Sequence, residues 1–231
     1  MKNVIVDFRI DNEESEYLVS NGYNTIICPA SSILYEAVCG HPDMMMHICK
    51  KNILVHKDMD NKFIQKLVLL GYKVYKSSST LQTKYPYNIL LNSLSIGNIF
   101  VHSLNFTDTN LLLLASNKKL INVNQGYTKC STCIVNNHAI ITSDVSIAKA
   151  LTLEKIDVLL IPPGDILLPG LSYGFIGGAT GLLQDNVLAF YGHLDHYLYG
   201  KEVLRFLNKH RVEPVFLRNG KLIDRGSIFR I

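Results

Sequence analysis

The chain repeats one pattern five times along its 231 residues, an amphipathic segment followed by a short β-rich segment. Each copy predicts a helix that leads into a strand, because apolar residues at helical spacing are followed by a β-branched run. Gly22 and Gly71 stand where two of these helices should end, as a C-terminal glycine cap requires. The five copies are "EESEYLVSNGYNTIIC", "DNKFIQKLVLLGYKVYK", "TNLLLLASNKKLINVN", "VSIAKALTLEKIDVLLI" and "GKEVLRFLNKHRVEPVFL".

The residues that follow each strand are repeated as well. The stretch from Gly40, "GHPDMMMHICKKNILVHKD", aligns without a gap on "GYTKCSTCIVNNHAIITSD" from Gly126 and on "GFIGGATGLLQDNVLAFYG" from Gly174. A fourth copy, "YPYNILLNSLSIGNIFVHS", needs a one-residue shift, and the short fifth copy "FLRNGKLIDRGSIFRI" is completed by the N-terminal "NVIVDF". Each copy predicts a turn and then a hairpin, with its tip at "KKN", "IGN", "NNH" or "QDN".

Repeats of this length form a solenoid or a closed ring. A solenoid needs polar capping repeats, whereas this chain starts and stops in β-rich segments that can pair with each other. We therefore expect one α/β domain over residues 1–231, with five units around an axis. The equivalent loops, which start at Gly40, near Pro86, at Gly126 and at Gly174, should then meet at that axis.

Composition excludes several classes of protein. A hydrophobic content of 48% with 18% charged residues is typical of a folded core and excludes disorder as the main state. The net charge of +4 is modest and the cations are scattered, so a nucleic-acid partner is not expected. The uncharged stretch near the N-terminus is too short for the hydrophobic region of a signal peptide. No apolar run approaches the ~20 residues that a membrane span needs, so we expect a cytoplasmic protein. The five irregularly spaced cysteines suit reduced thiols: Cys28, Cys39, Cys49, Cys130 and Cys133.

Five ββαβ-type units around a pseudo-fivefold axis resemble the pentein fold, also called the guanidino-group-modifying enzyme fold. That superfamily includes arginine and agmatine deiminases, amidinotransferases and the non-catalytic ribosome anti-association factors. Through its repeats, the chain is similar to the fold over essentially its whole length. The resemblance implies a five-unit α/β propeller around a central cavity, in a bacterial branch of small members without insertions.

Partial motifs add to the resemblance. In the enzymes a His-x-Asp step opens one unit, and "HPD" puts His41 and Asp43 in a matching place, which implies a general acid/base and a guanidinium anchor. "GYTKCST" sets Cys130 where the enzymes carry a nucleophilic cysteine. The Glu-Gly-Gly-Asp step of the deiminases looks like "IGGA", but Ile176 and Ala179 stand where the acids should be. A second carboxylate from the fourth unit is therefore missing.

The side chains of Cys130, His41 and Asp43 also suit this chemistry by their own properties, whatever the family. A thiol must be ionised to attack, and Lys129 with the N–H groups of a glycine turn should lower the pKa of Cys130 from about 8.5. His41 titrates near neutrality and can pass the proton to a leaving amine. Asp43, two residues on in an extended segment, should project from the same face and grip a planar guanidinium with both oxygens. A covalent amidino-thioether is then the expected intermediate.

Two classes of function remain open. One is a thiol enzyme that acts on a small guanidino, amidino or amide-like metabolite without a cofactor or metal. The other is a non-catalytic pentein that binds a small ligand or a protein partner. In the enzyme, Cys130 and His41 must flank one pocket. Further ligand contacts are expected from the turns of the ring: Lys129, Tyr127, Gly177, Gly178 and Asn88.

Each candidate also has a structural alternative. Cys130 is of a residue type that is often simply buried, and His41 with Asp43 would also suit a capped turn. Cys133 completes a Cys-x-x-Cys step, but no second pair exists for a structural zinc site.

A second stretch, "YGHLDHY", carries an alternative acid–base pair. His193 and Asp195 match the deiminase letters better than "GHPD" does. Their position in the repeat, at the far end of the returning strand, is instead typical of a helix N-cap.

Overall fold

The structure is a computed structural model that describes residues 2–231. Within these residues, fifteen short strands form five separate three-stranded sheets. Strands of four to six residues predominate, as the short β-rich segments of the repeat require. The strands are β1 (Lys2–Asp7), β2 (Tyr23–Cys28), β3 (Met46–Cys49), β4 (Asn52–Val55), β5 (Lys73–Lys76), β6 (Leu94–Ile96), β7 (Ile99–His102), β8 (Lys119–Asn122), β9 (Thr132–Asn136), β10 (Ala139–Thr142), β11 (Asp157–Leu160), β12 (Thr180–Gln184), β13 (Val187–Phe190), β14 (Glu213–Phe216) and β15 (Phe229–Arg230).

All five sheets have the same build. The first strand of each pairs antiparallel with the second, and the second pairs parallel with the third, as in the order β3-β4-β5. The fifth sheet closes the chain on itself, since β15 pairs antiparallel with the N-terminal β1, which pairs parallel with β2. The repeat predicted from the sequence, including the completion of the last unit by the N-terminal strand, is confirmed.

Helices connect the second and third strand of each sheet. Four of them begin behind an aspartate whose carboxylate accepts a backbone N–H of the first turn, which supplies the N-cap. Gly22 and Gly71 follow two helices with φ of +81° and +88°, so the predicted glycine caps are confirmed. The connecting helices are α1 (Asn12–Ser20), α3 (Asn61–Leu69), α4 (Thr109–Leu114), α5 (Val145–Leu153) and α6 (Gly200–Lys209), and the single turn α2 (Pro42–Met45) precedes β3. None of them has the length and apolar content needed to cross a bilayer.

The ring is closed by hydrogen bonds between neighbouring units at the start of their first strands. These bonds join each turn to the next, so the five turns share one layer at the axis. They are Asn92 Nδ2 to Asp43 O (3.0 Å), Lys129 N to Asn92 O (3.1 Å), Gly178 N to Cys130 O (3.0 Å), Ser227 N to Gly178 O (2.8 Å) and Asp43 N to Gly226 O (3.2 Å). The expected meeting of equivalent loops at one axis is confirmed.

Candidate active site

Three side chains proposed from the sequence converge at the axis. One nitrogen of His41, one carboxylate oxygen of Asp43 and the sulfur of Cys130 all lie within 4.8 Å of one another. We call these three residues the axial cluster. Every member is buried, with Cys130 only 3% exposed. Residues from the first and third units therefore meet around one point, as the ring predicted.

The backbone that carries His41 and Asp43 differs from expectation. The predicted extended segment is wrong, because Pro42–Met45 forms one helical turn with Pro42 at its first position, where its fixed φ suits a helix. His41 stands just before this turn in an extended conformation and makes no capping hydrogen bond with its side chain. The Asp43 carboxylate accepts from Ser227 Oγ (2.7 Å) and Cys130 Sγ (3.0 Å), so the pair is not a simple capped turn.

The environment of the Cys130 thiol is acidic. Burial, together with the charges of Asp43 and Asp224, raises the pKa of the thiol well above its ordinary value. The predicted lowering by Lys129 is wrong, because the thiol pKa is raised and the Lys129 ammonium donates to Ser227 Oγ at 2.8 Å and not to the sulfur. Without a ligand, Cys130 is therefore a neutral thiol.

Asn92 holds the thiol in place, and the sequence reasoning missed it. Its Oδ1 accepts from the backbone N–H groups of Lys129 (2.9 Å) and Cys130 (3.1 Å), and its Nδ2 donates to Cys130 Sγ at 3.0 Å. The same Nδ2 lies 3.3 Å from Asp43 Oδ1. Asn92 belongs to the second unit, whose one-residue shift in the alignment hid its position in the shared layer.

Two further carboxylates flank His41. Its Nδ1 lies 3.7 Å from Asp224 Oδ1 and its Nε2 lies 4.0 Å from Asp7 Oδ2. Neither ring nitrogen has a hydrogen-bond partner among residues 2–231, although His41 is 1% exposed. Burial raises the pKa of Asp224, and the neighbouring His41 opposes this shift. The fifth unit thus places a carboxylate beside His41, where the fourth unit has none.

Gly178 makes room for Asp224. A Cβ at Gly178 would overlap the Asp224 carboxylate, which itself accepts the N–H groups of Phe175 (2.8 Å) and Gly226 (2.9 Å). A Cβ at Gly177 would overlap the backbone of Lys129 and Thr132 in the neighbouring unit. In this structure the two predicted ligand-binding glycines therefore allow close contact between units, while their contact with a ligand stays a prediction.

The remaining predicted ligand contacts interact with each other. Asn88 Nδ2 donates to the Tyr127 hydroxyl at 2.9 Å, and the Tyr127 ring packs against Tyr85 and Phe175 with ring centroids 5.8 and 6.2 Å away. The side-chain oxygen of Asn88, Oδ1, is buried without a hydrogen-bond partner in the described part of the chain. Both residues lie in or beside the turn that leads to Cys130, and their role toward a ligand stays a prediction.

The alternative pair, His193 and Asp195, lies elsewhere. His193 Nδ1 accepts the Asp195 backbone N–H at 3.1 Å and so caps the short 3-10 helix Leu194–His196. The Asp195 side chain is 77% exposed, and over residues 2–231 no hydrogen bond or ion pair joins the two residues to the axial cluster. The interpretation of this stretch as a cap is confirmed.

A cleft of about 620 Å³ has Asp224 in its wall, whereas His41, Asp43 and Cys130 are buried and do not line it. The pocket flanked by both Cys130 and His41 that the enzyme requires therefore stays a prediction. Two cations in the wall are already engaged. The Arg9 guanidinium binds Asp7 and the carbonyls of Glu36 and Ala37, and the Arg225 guanidinium binds Glu14, Asp11 and the Arg9 carbonyl. Glu36 is exposed in the wall, and its carboxylate accepts no hydrogen bond from residues 2–231. The charge left over in the cleft is therefore negative, which favours a cationic or neutral polar ligand.

Residues 5–229 match a family model described as "Family of unknown function (DUF6873)". The chain belongs to this family. The comparison with curated proteins gave no match.

Solved structures place this DUF6873 protein in the pentein fold. SxtG, an amidinotransferase from Microseira wollei in the saxitoxin biosynthetic pathway, is 11% identical with a TM-score of 0.59, over 94% of this chain and 88% of that one. Dimethylarginine dimethylaminohydrolase (DDAH) from Pseudomonas aeruginosa, complexed with citrulline, is 7% identical with a TM-score of 0.56, over 100% and 99%. Agmatine deiminase from C. jejuni is 10% identical with a TM-score of 0.57, over 94% and 87%. At these identities the likeness shows the fold alone.

The axial cluster of this DUF6873 protein also has the donor set of a metal site. An imidazole, a carboxylate and a thiolate are ligands that Zn²⁺ accepts, and the three donor atoms are close enough to converge on one ion. Cys133, the other half of the Cys-x-x-Cys step, is fully buried in a different apolar cluster, and burial raises its pKa to about 11. Only Cys130 of the two cysteines thus reaches the axis.

Proposed function

We propose that this protein is a thiol enzyme that acts at the central carbon of a guanidino or amidino group. Cys130 is the nucleophile, His41 is the general acid/base, and the carboxylates of Asp43 and Asp224 hold the cationic group. The convergence of the three reacting side chains within 4.8 Å carries this proposal. The His41 nitrogens add support, because both are buried and free to exchange a proton.

The raised pKa of Cys130 fits a substrate that activates its own nucleophile. Burial, together with two nearby carboxylates, raises the pKa of the Cys130 thiol and keeps it protonated when no cation is present. A guanidinium or amidinium between Asp43 and Asp224 would offset their negative charge and lower the thiol pKa. Cys130 then reacts only when the substrate is in place, and an empty site stays inert.

The reaction follows from these positions. The Sγ proton passes to His41 as the sulfur–carbon bond forms, and the carbon–nitrogen bond breaks as the departing amine takes that proton. Water then attacks the covalent intermediate, its proton passes through His41 to the sulfur, and the carbon–sulfur bond breaks. The balance is guanidine plus water giving a ureido compound and an amine. With an amine in place of water, the same steps transfer the amidino group.

A non-catalytic binding protein is the second candidate, and one observation favours it. The Asp43 carboxylate already accepts hydrogen bonds from Ser227 and Cys130, and Cys130 is 3% exposed. Such a protein would bind a cation in the cleft beside Asp224, and the thiol would never react.

Two alkylating probes separate these candidates. 2-Chloroacetamidine is a cation, while 2-chloroacetamide is neutral and of nearly the same shape. If the carboxylates hold a cation next to the thiol, the amidine should label Cys130 at least about tenfold faster than the amide. The reason is that lowering the thiol pKa by one unit raises the fraction of thiolate about tenfold. Peptide mass spectrometry with time gives the rate for each cysteine, and the half-buried Cys49 is the internal reference.

Two variants and one additive complete the design. Cys130→Ser should lose the fast label, and Asp224→Asn should lose most of the preference for the amidine. Labelling with and without EDTA shows whether a bound metal blocks the sulfur. Equal, slow labelling of Cys130 by both probes in metal-free protein would contradict the enzyme and leave the binding protein.

A further inference from the structure

A second cavity, of about 290 Å³, shares no lining residue with the cleft. The first strands of all five sheets, β3, β6, β9, β12 and β15, contribute to its wall, so it opens at the centre of the ring. We call it the far cavity. Its wall contains two cationic side chains, Lys129 and Arg230, and no aspartate or glutamate among the described residues. The charge in its wall is therefore positive, the reverse of the cleft.

Lys129 is the deepest charge in this wall. The residue is 9% exposed, and its ammonium makes one hydrogen bond, to Ser227 Oγ at 2.8 Å. No carboxylate within residues 2–231 lies within 4.0 Å of it as an ion-pair partner. An ammonium carries three donors, so two are left without a hydrogen-bond acceptor. The Phe229 ring also faces the charge, with its centroid 5.7 Å from Nζ, and offsets only part of the cost of burying it.

A histidine between two serines supplies a further donor. His47 Nδ1 lies 2.8 Å from Ser93 Oγ, and His47 Nε2 lies 3.1 Å from Ser95 Oγ. Burial lowers the pKa of His47 to about 3, so the ring is neutral and carries one N–H. One serine must then donate to the ring, while the other accepts from it and keeps its own O–H. Either tautomer leaves one hydroxyl proton for a ligand in the far cavity.

We propose that the far cavity binds a small oxyanion, such as phosphate, sulfate or the carboxylate of a metabolite. The ammonium of Lys129 and one serine hydroxyl, from Ser93 or Ser95, hold it inside. Arg230 at the rim adds a second cation, since its present partner Asp185 is 93% exposed and the pair is weak. The donors, the cavity and a buried ammonium that has no direct ion-pair partner within residues 2–231 all favour an anion of this size.

The site is separate from the one proposed for chemistry. Ser227 lies between the two, since its Oγ accepts from Lys129 and donates to Asp43. The anion would sit beside Lys129, in a cavity that shares no lining residue with the cleft. Its binding therefore does not depend on whether Cys130 is a nucleophile.

Inorganic phosphate tests the proposal by thermal unfolding. With NaCl at matched ionic strength as the reference, phosphate should raise Tm along a saturating curve. At one hundred times Kd the rise should reach about 5–10 °C for a chain of this size. Lys129→Met should abolish the saturable part, and Arg230→Gln should weaken apparent affinity several-fold. Isothermal titration with phosphate measures the same affinity directly.

Lys51→Met is the matched control, because it removes one exposed charge at the nearby β3–β4 tip and leaves the far cavity intact. It should keep the phosphate response of the unaltered protein. If Lys129→Met does not fold, the exposed Arg230→Gln variant and the titration decide. A Tm rise that is linear in phosphate and equal in all variants, or no heat of binding, would overturn the proposal, because excluded salts stabilise any protein in that way.

Discussion

Two tetrapeptides of this chain read almost alike and do different things. Gly-His-Pro-Asp at residues 40–43 puts His41 and Asp43 into a buried cluster with Cys130. Gly-His-Leu-Asp at residues 192–195 puts His193 and Asp195 at the surface, where the histidine caps a single turn. The first lies where a strand begins at the axis, and the second lies where a strand ends at the periphery.

The difference shows what a repeat adds to a motif. In both stretches the same residue types follow a glycine, so composition and spacing cannot separate them. In the ring, the position within the unit decides whether a side chain meets residues from other units. At the axis, His41 has carboxylates from the first and last parts of the chain on either side of its ring. Within residues 2–231, the one acidic partner of His193 is Asp195, two residues along the chain.

The largest expected effect comes from making the same substitution at each of the two histidines. His41→Asn should slow labelling of Cys130 by 2-chloroacetamidine about 100-fold or more, which is the usual contribution of a general base. His193→Asn should leave the rate within about twofold. Circular dichroism of both variants checks the fold. If labelling of Cys130 were slow in His193→Asn and unchanged in His41→Asn, the acid–base role would belong to His193 and Asp195 instead.

The sequence was sufficient for the architecture because the repeat is local. A few neighbouring residues are enough to predict each helix, glycine cap, strand and hairpin tip. The ungapped alignment then extends the same prediction to the other units. The approach of His41 and Asp43 to Cys130 followed from the ring alone. The backbone between His41 and Asp43 did not, because Pro42 favours a helical turn over the extended segment that alternation suggested.

The electrostatics of the site could not be predicted in the same way. The charge on Cys130 depends on Asp224, which is 94 residues further along the chain and enters the cluster only because Gly178 leaves space for it. Asn92 was equally hidden, since an asparagine in a strand-like stretch has no property that marks it as a partner of a distant thiol. Adjacent Lys129 seemed the obvious neighbour of the sulfur, yet its long side chain extends to Ser227.

A glycine substitution compares axis and periphery by stability. Gly178→Ala places a methyl group on the Asp224 carboxylate and should lower the free energy of unfolding by about 3 kcal/mol. Gly22→Ala has open space around the new Cβ but keeps φ near +81°, so it should cost about 1 kcal/mol. Urea denaturation measures both. In an Asp224→Ala background, Gly178→Ala should lower the free energy of unfolding by less than Gly22→Ala does. If Gly178→Ala cost as much there as in the unaltered protein, the added methyl group would overlap some group other than the Asp224 carboxylate.

The smallest effect concerns pH and separates buried from exposed histidines. Burial lowers the pKa of His47 to about 3 and that of His102 to about 4. Between pH 6.5 and 5 the unfolded chain binds a proton at each histidine while the folded chain does not, so stability falls as the pH falls. Each contributes about 1.6 kcal/mol over that interval, which follows from integrating ~1.4 kcal/mol per proton and pH unit.

His47→Gln should remove one of these two contributions, because an amide can still bond both serines and does not titrate. The loss of stability from pH 6.5 to 5, measured by urea denaturation, should therefore be about 1.6 kcal/mol smaller than in the unaltered protein. His193→Gln is the matched control, because it makes the same replacement at a peripheral histidine that contacts neither serine. The raised pKa of Asp224 acts in the opposite direction, favouring the folded state as pH falls, but it is common to all three proteins and cancels in the comparison. An equal pH dependence in all three proteins would mean that the His47 ring takes up a proton in the folded state, and the neutral imidazole between Ser93 and Ser95 would then be wrong.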